Sequence, residues 1–334
     1  MVYDYCSITD YLYTPDFFET VLHVISYISI PVHCYGGFCV FAKTPISMQS
    51  VKWSMMNLHL FSCLFDLGVS LFTIPYILFP VLAGYPLGLM QKFGVPIEIQ
   101  VYVVLFVGAF MLVSITIVFE NRLFVLVLSD KTLQRFRTPI YILHYILPII
   151  FLPALVNIPD QKAGYRNLMD HFECVPPYVD IKKVFYLAIT KRYFLGGCAS
   201  FIVAMFVEVW FFAFITNRML KKQMTKTMSQ KTVDLHRKFQ RAFILQLLIP
   251  FIIVFLPICY VGFSCFAESA FHNQALNNIT IIIISSHGFF STIAMIALHT
   301  PYREYTQQLF PFCKRLDFSS SNQTAPQSVM VTNM

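Results

Sequence analysis

Apolar residues run in seven long stretches separated by short polar loops. The first uncharged stretch extends from Thr20 to Ala42, and the second from Trp53 to Ala83 with Asp66 as its interruption. The third runs from Ile99 to Phe119 and closes on Glu120, Asn121 and Arg122; the fourth lies between Arg137 and Asp160. The fifth, Tyr193 to Asn217, contains Glu208, and the sixth, Ala242 to Ala267, contains Pro250 and Pro257. The seventh extends from Ala275 to Leu298. Each can cross a hydrocarbon layer about 30 Å thick, with tilt where it is longer. Lipid offers the backbone no hydrogen-bond partner, so a spanning segment is a helix or a strand of a closed barrel, and these stretches are too long for barrel strands. The predicted fold is an all-α membrane protein, a bundle of seven transmembrane helices.

The pattern places the helices at about 17–42, 53–82, 97–128, 138–158, 191–218, 238–266 and 275–299, within a membrane domain of residues 17–300. Residues 1–16 form an outer segment and 301–316 a candidate amphipathic helix along the inner leaflet. Residues 317–334, rich in Ser, Thr, Asn and Gln, are expected to be disordered. No internal repeat or inverted pair of halves is visible, which weighs against a transporter.

Composition strengthens this picture: 57% of residues are hydrophobic, 12% are charged, and Phe occurs 35 times, so lipid is the solvent for most of the chain. Charge then gives direction. Most of the 24 lysines and arginines fall on alternate loops, with the densest group between the fifth and sixth stretches. Basic loops stay on the cytoplasmic side, so the amino terminus is predicted outside and the carboxyl tail inside. No basic segment precedes Thr20, so the first stretch reads as a retained anchor. The net charge of +7 follows from these inner loops, and nucleic-acid binding need not be invoked. The expected location is the plasma membrane, with the lipid bilayer itself as a partner.

Candidate chemistry is sparse. No phosphate-binding glycine loop, His-Glu-x-x-His, Cys-x-x-Cys or Gly-x-Ser-x-Gly is present, so no enzyme activity, cofactor or metal is predicted. Ionisable groups inside spans are costly and mark candidate sites. Asp66 is placed to hold a cation or to hydrogen-bond the third and seventh helices, with a packing acid as the equal alternative. Glu208 reads as a structural polar contact. The histidines at 23, 33, 59, 144 and 287 are scattered over five helices and read as interhelical hydrogen bonders. Of the cysteines, Cys6 and Cys174 lie in outer segments and Cys265 near the outer end of the sixth stretch. Spacing alone leaves open a Cys6–Cys174 bridge, a Cys174–Cys265 bridge, or free thiols. Cys313, beside Lys314 and Arg315, is a palmitoylation candidate, with an ordinary thiol as the alternative.

The Glu120–Asn121–Arg122 junction differs from the other acids because it stands where the third helix meets the basic inner face. An arginine there can reach the glutamate or polar groups on the fifth and sixth helices, two packings of similar energy. An ordinary end-cap is the alternative. Arg237, Lys238 and Arg241 lie on an inward, basic continuation of the sixth helix, a surface suited to anionic headgroups or a docked protein. Pro250 and Pro257 each remove one helical hydrogen bond and are candidate hinges.

Several motifs resemble the nematode serpentine receptors of class H. They include Phe41 to Pro45, Met48 to Trp53, Asn57-Leu58-His59, Ala83 to Gly88, Phe119 to Arg122 and Ile158 to Gln161. Lys238-Phe239 with Gln246 and Pro250, Asn273 to Ala275, Asn277-Asn278, Ser286-His287-Gly288 and His299 to Arg303 complete the series. The resemblance implies a chemosensory G-protein-coupled receptor with an outside amino terminus, a heterotrimeric G protein as partner, and placement in sensory cilia. Together with sidedness it favours the Cys6–Cys174 bridge. Glu120, Asn121 and Arg122 occupy the place of the Asp/Glu-Arg-Tyr motif of rhodopsin-like receptors, which makes Arg122 the candidate switch. The intervening Asn changes the geometry, and Asn-Pro-x-x-Tyr is missing from the seventh stretch.

The function expected is therefore binding of a small extracellular molecule, an odorant or pheromone, between the outer halves of helices three, five, six and seven. Tyr102, Phe106, Tyr260 and Asn277 lie at depths suited to that pocket, with core packing as the alternative for each. A ligand-gated channel or transporter, or a non-signalling accessory of other receptors, are the competing readings.

Overall fold

A computed structural model describes residues 10–126, 131–171, 176–223, 230–266 and 273–311. The elements in order are α1 (Pro15–Ala42), α2 (Gln49–Leu67), β1 (Pro75–Ile77), β2 (Leu82–Pro86), α3 (Leu89–Lys92), α4 (Ile97–Leu126), α5 (Lys131–Leu155) and α6 (Gln161–His171). They continue with β3 (Phe185–Ala188), α7 (Lys191–Gln223), α8 (Gln230–Phe266), α9 (Gln274–Ser285), α10 (His287–Leu298) and α11 (Thr300–Leu309). Among the described residues seven helical spans are long and apolar enough to cross a membrane: α1, α2, α4, α5, α7, α8, and α9 with α10.

The first span starts sharply because Thr14 caps it. Its hydroxyl accepts from the Phe17 amide at 3.2 Å, Pro15 fills the first helical position, and Asp16 complements the helix dipole. At the centre of the bundle, α4 packs against α2, α5 and α7, while α10 packs against α8, α1 and α2. Elsewhere the rule of soluble cores is inverted. On α7, Val203, Val207, Trp210, Phe211 and Phe214 are each more than half exposed and form one stripe. In water such a patch invites aggregation; here it is the face that meets lipid tails.

The second span corrects the expected helix of 53–82. α2 widens into π-helical turns over Gly68–Thr73, Ile74 takes a left-handed conformation (φ 47°), and the chain then becomes β1. Pro75 explains the stop: it has no N–H to donate, and its ring disfavours a helical residue before it. The run from Pro75 to Pro86 is apolar because it forms a buried hairpin, a pattern that hydrophobicity alone does not separate from a helix. β1 and β2 pair antiparallel with Tyr76 opposite Tyr85, and β2 pairs antiparallel with β3. This small three-stranded sheet packs on the ends of α1 and α7 through Phe18, Leu22 and Phe194. Burial pushes the Tyr85 phenol up to about 12, so the sheet's aromatic face stays uncharged.

Other bounds also shift. α5 begins at Lys131 and ends at Leu155, where 138–158 is expected, and the seventh helix is two pieces that meet at Ser286. α8 runs unbroken through Pro250 and Pro257. α11 lies beyond the seventh span and is anchored by Tyr302, whose hydroxyl meets Thr44 Oγ1 at 2.8 Å. Cys6, Cys174 and Cys313 fall outside the described residues, as does the tail from 317 onward. Cys265 is a buried free thiol.

Candidate functional site

Three polar layers cross the bundle, and the middle one is built on Asp66. Where the seventh span breaks, the first amides of α10 have no carbonyl within their own helix to receive them. Asp66 supplies the acceptors: Oδ1 takes the Gly288 N–H at 3.0 Å and Oδ2 the Phe289 N–H at 2.7 Å. His287 Nδ1 stands 2.8 Å from Oδ1, and His33 Nε2 3.3 Å from Oδ2. The carboxylate is fully buried. A side chain at Gly288 would place its Cβ 2.7 Å from Asp66 Oδ2, so this close approach requires glycine. His33 Nδ1 also meets Thr292 Oγ1 at 3.1 Å, and His59 Nε2 meets the His33 carbonyl at 2.9 Å. Asp66 thus joins spans one and seven, whereas the sequence suggested the third and seventh helices. The histidines read as scattered are in part a cluster: His33, His59 and His287 converge beside one carboxylate. Two ionisable residues in an apolar run, Asp66 and His287, were the available signal for that pairing.

A second layer, toward the C-terminal end of α4, holds Glu120, Asn121 and Arg122, all buried. About 100° of rotation per residue sends the three side chains to different neighbours. Asn121 Nδ2 donates to the Ser50 carbonyl (3.0 Å) and to Ser54 Oγ (3.2 Å) on the second span, and its Oδ1 accepts from Arg137 Nη2 of α5. Glu120 has His144, Glu208 and Arg137 as charged neighbours, yet neither of its oxygens accepts a hydrogen bond. Arg122 lies within electrostatic reach of His299. His299 Nε2 in turn meets Gln246 Oε1 of α8 at 3.0 Å, which ties the sixth span to the end of the seventh. The glutamate and arginine of the junction therefore serve different faces of α4. Glu208 pairs with His144 Nε2 at 2.9 Å, a bond between α5 and α7. Arg237 is half-buried and Arg241 exposed on the N-terminal part of α8; the side chains of Lys238 and Pro250 lie outside the described residues, and Pro257 is buried.

The third layer, at the opposite end of the bundle, contains two of the four expected pocket residues, and it uses them as a lock. Tyr260 donates its hydroxyl to Asn277 Oδ1 at 2.7 Å, and Asn277 Nδ2 donates to the Phe79 carbonyl at 3.2 Å. Gln274 Nε2 donates to the Ile77 carbonyl (3.0 Å), and Asn278 Nδ2 to the Leu12 carbonyl (2.9 Å). The hairpin is thereby bolted to α9. Tyr102 and Phe106 form a separate stacked pair, 6.1 Å between centroids, packed against the hydrophobic core. None of the four lines the small cavity between His59, Ser62, Gln246, Ser291 and Thr292, or the open groove beside α6.

Among the described residues the bundle has seven candidate spans, a seventh span in two pieces and a helix beyond it. The family profile described as serpentine type 7TM GPCR chemoreceptor Srh matches residues 13–312. The chain belongs to the Srh family. As an Srh chemoreceptor it is a multi-pass membrane protein of a receptor family. It is 24% identical over 292 residues to serpentine receptor class H-72 of Caenorhabditis elegans, a match covering 86% of this chain and 83% of that protein. Squid rhodopsin shares the fold with a TM-score of 0.55 at 10% identity, over 96% of this chain and 93% of that one.

Proposed function

We propose that this Srh protein is a chemosensory receptor that binds a small extracellular molecule, an odorant or pheromone, and activates a heterotrimeric G protein. In this reading the amino terminus is outside, the carboxyl tail inside, and the receptor resides in the plasma membrane of a sensory cilium. The observation that carries it is the position of Arg122, buried beside the His299–Gln246 bond that links the sixth and seventh spans. Parting that bond would let the inner end of α8, with Arg237 and Arg241, move away from α4 and open a cleft onto Arg122. A ligand drives this only by favouring the open packing over the closed one. Lys238, a Cys6–Cys174 bridge and palmitoylation of Cys313 complete the reading from sequence. Asp66 has both oxygens filled by protein donors, which favours a structural role over an ion pathway.

The test is an odorant screen with a G-protein readout in cells expressing the chain, followed by Arg122→Ala. The substitution is expected to abolish ligand-driven G-protein activation while surface delivery persists. Normal signalling in the variant removes Arg122 from the mechanism, and ligand-gated current without any G protein replaces the receptor reading with a channel.

A further inference from the structure

One concave surface has no role in the layers above: the groove between α6 and β3, in the loop that the charge pattern assigns to the exterior. Its floor is rigid. The Gln161 side chain pairs with both backbone groups of Tyr186, donating to its carbonyl at 3.3 Å and accepting its N–H at 3.0 Å, so the amide covers the strand as a neighbouring strand would. Gly164 sits directly on the Tyr186 ring, where a Cβ would come 2.3 Å from the ring Cγ. Helix and strand therefore approach more closely than any other residue at 164 allows.

Above this floor lies an open groove of ≈ 530 Å³, lined by Lys162, Tyr165, Arg166, Ile181, Val184 and Tyr186. It has room for a small molecule lying against one wall. Lys162 and Arg166 are four residues apart, so they stand one above the other on the same face of α6. Both are exposed, and among the described residues neither forms an ion pair or hydrogen bond. Asp170 stands one turn beyond Arg166 on α6 without an ion pair to it, and the Asp180 carboxylate is held by Lys183 at 3.2 Å, a contact that keeps it below the usual carboxylate range. Tyr165, 44% exposed, and the side chains of Ile181 and Val184 provide apolar surface beside the two cations.

We propose that this groove binds a small molecule carrying one anionic group on a short apolar or aromatic body. The anion sits between Lys162 and Arg166, and the body lies against Tyr165, Ile181 and Val184. An anionic lipid headgroup shares this chemistry and is the second source for the same site. Binding itself is independent of the signalling reading; only the assignment of this ligand class to receptor activation rests on it.

The experiment uses the full chain in phosphatidylcholine nanodiscs, with no G protein present, and titrates 3-phenylpropionate and 3-phenylpropanol by saturation-transfer NMR. The acid is expected to bind and the alcohol to bind several-fold more weakly. Lys162→Gln with Arg166→Gln is expected to weaken the acid about tenfold, on the order of threefold per exposed charge contact, at an unchanged melting temperature. Raising salt from about 0.05 to about 0.5 M should mimic that loss. Tyr165→Ala should weaken both probes alike. Competition by nanodiscs containing phosphatidylserine supports the site and names the headgroup as its source. Equal binding of acid and alcohol, or an acid affinity untouched by the double substitution, overturns the proposal. Signalling that fails while the acid still binds refutes the receptor reading alone.

Discussion

Asp66 and Glu120 are both buried carboxylates within the membrane domain, and the structure treats them in opposite ways. Asp66 accepts two backbone amides at the start of α10 and has two imidazoles within ion-pair distance. Glu120, toward the C-terminal end of α4, is equally hidden from solvent and accepts no hydrogen bond. A buried acceptor left unpaired raises the energy of the packing that holds it, whereas a fully paired one resists any change. The difference separates a clasped middle, where spans one, two and seven meet, from the C-terminal end of α4, whose present packing is stabilised less.

The largest effect should come from breaking the clasp. Asp66→Ala leaves two helix-terminal amides and two buried imidazoles without their partner and should destabilise the receptor by about 3–5 kcal/mol, measured as thermal unfolding of the purified protein. A small loss would show that α10 finds another cap. Next in size is the outer lock: Gln274→Ala frees the Ile77 carbonyl and should cost about 1–3 kcal/mol, with faster amide exchange confined to the hairpin. Glu120→Gln should go the other way. It removes a charge that no neighbour hydrogen-bonds and keeps its shape, so a gain of about 1 kcal/mol is expected; a lowered melting temperature would show that the charge is needed by Arg137 or His144. Smallest is Tyr302→Phe, which forfeits the bond to Thr44 and should cost about 1 kcal/mol, read as release of α11 in proteolysis while the seven spans remain folded.

Much of this architecture is legible in the chain because lipid imposes one rule on every span. Length and apolarity mark the helices, and the basic loops mark a side. The hairpin at 75–86 escapes that rule, since a strand buried on both faces shows no alternation and reads like helix. The prolines at 75, 80 and 86 were the contrary sign. The meeting of His33 with Thr292 joins residues far apart in sequence, and no local pattern encodes it. Glu120 and Arg122 teach a different lesson. Their spacing alone places them on different faces of a helix, yet which neighbour each face meets depends on helix packing. The expected pocket shows the same limit, because depth placed Tyr260 and Asn277 beside a ligand and carried nothing about their bond to each other or the hairpin they hold.

The break in the seventh span has a mechanical consequence. α9 is fastened to the hairpin through Gln274 and Asn277, and α10 to the bundle through Asp66, with the joint at Ser286 between them. Each half is a short lever with its own fulcrum. A torque applied to α9 reaches α10 only across this joint, beside which the Asp66 carboxylate holds the first turn of α10. Residue 66 is therefore placed where a clutch plate would sit, at the coupling of two separately mounted shafts.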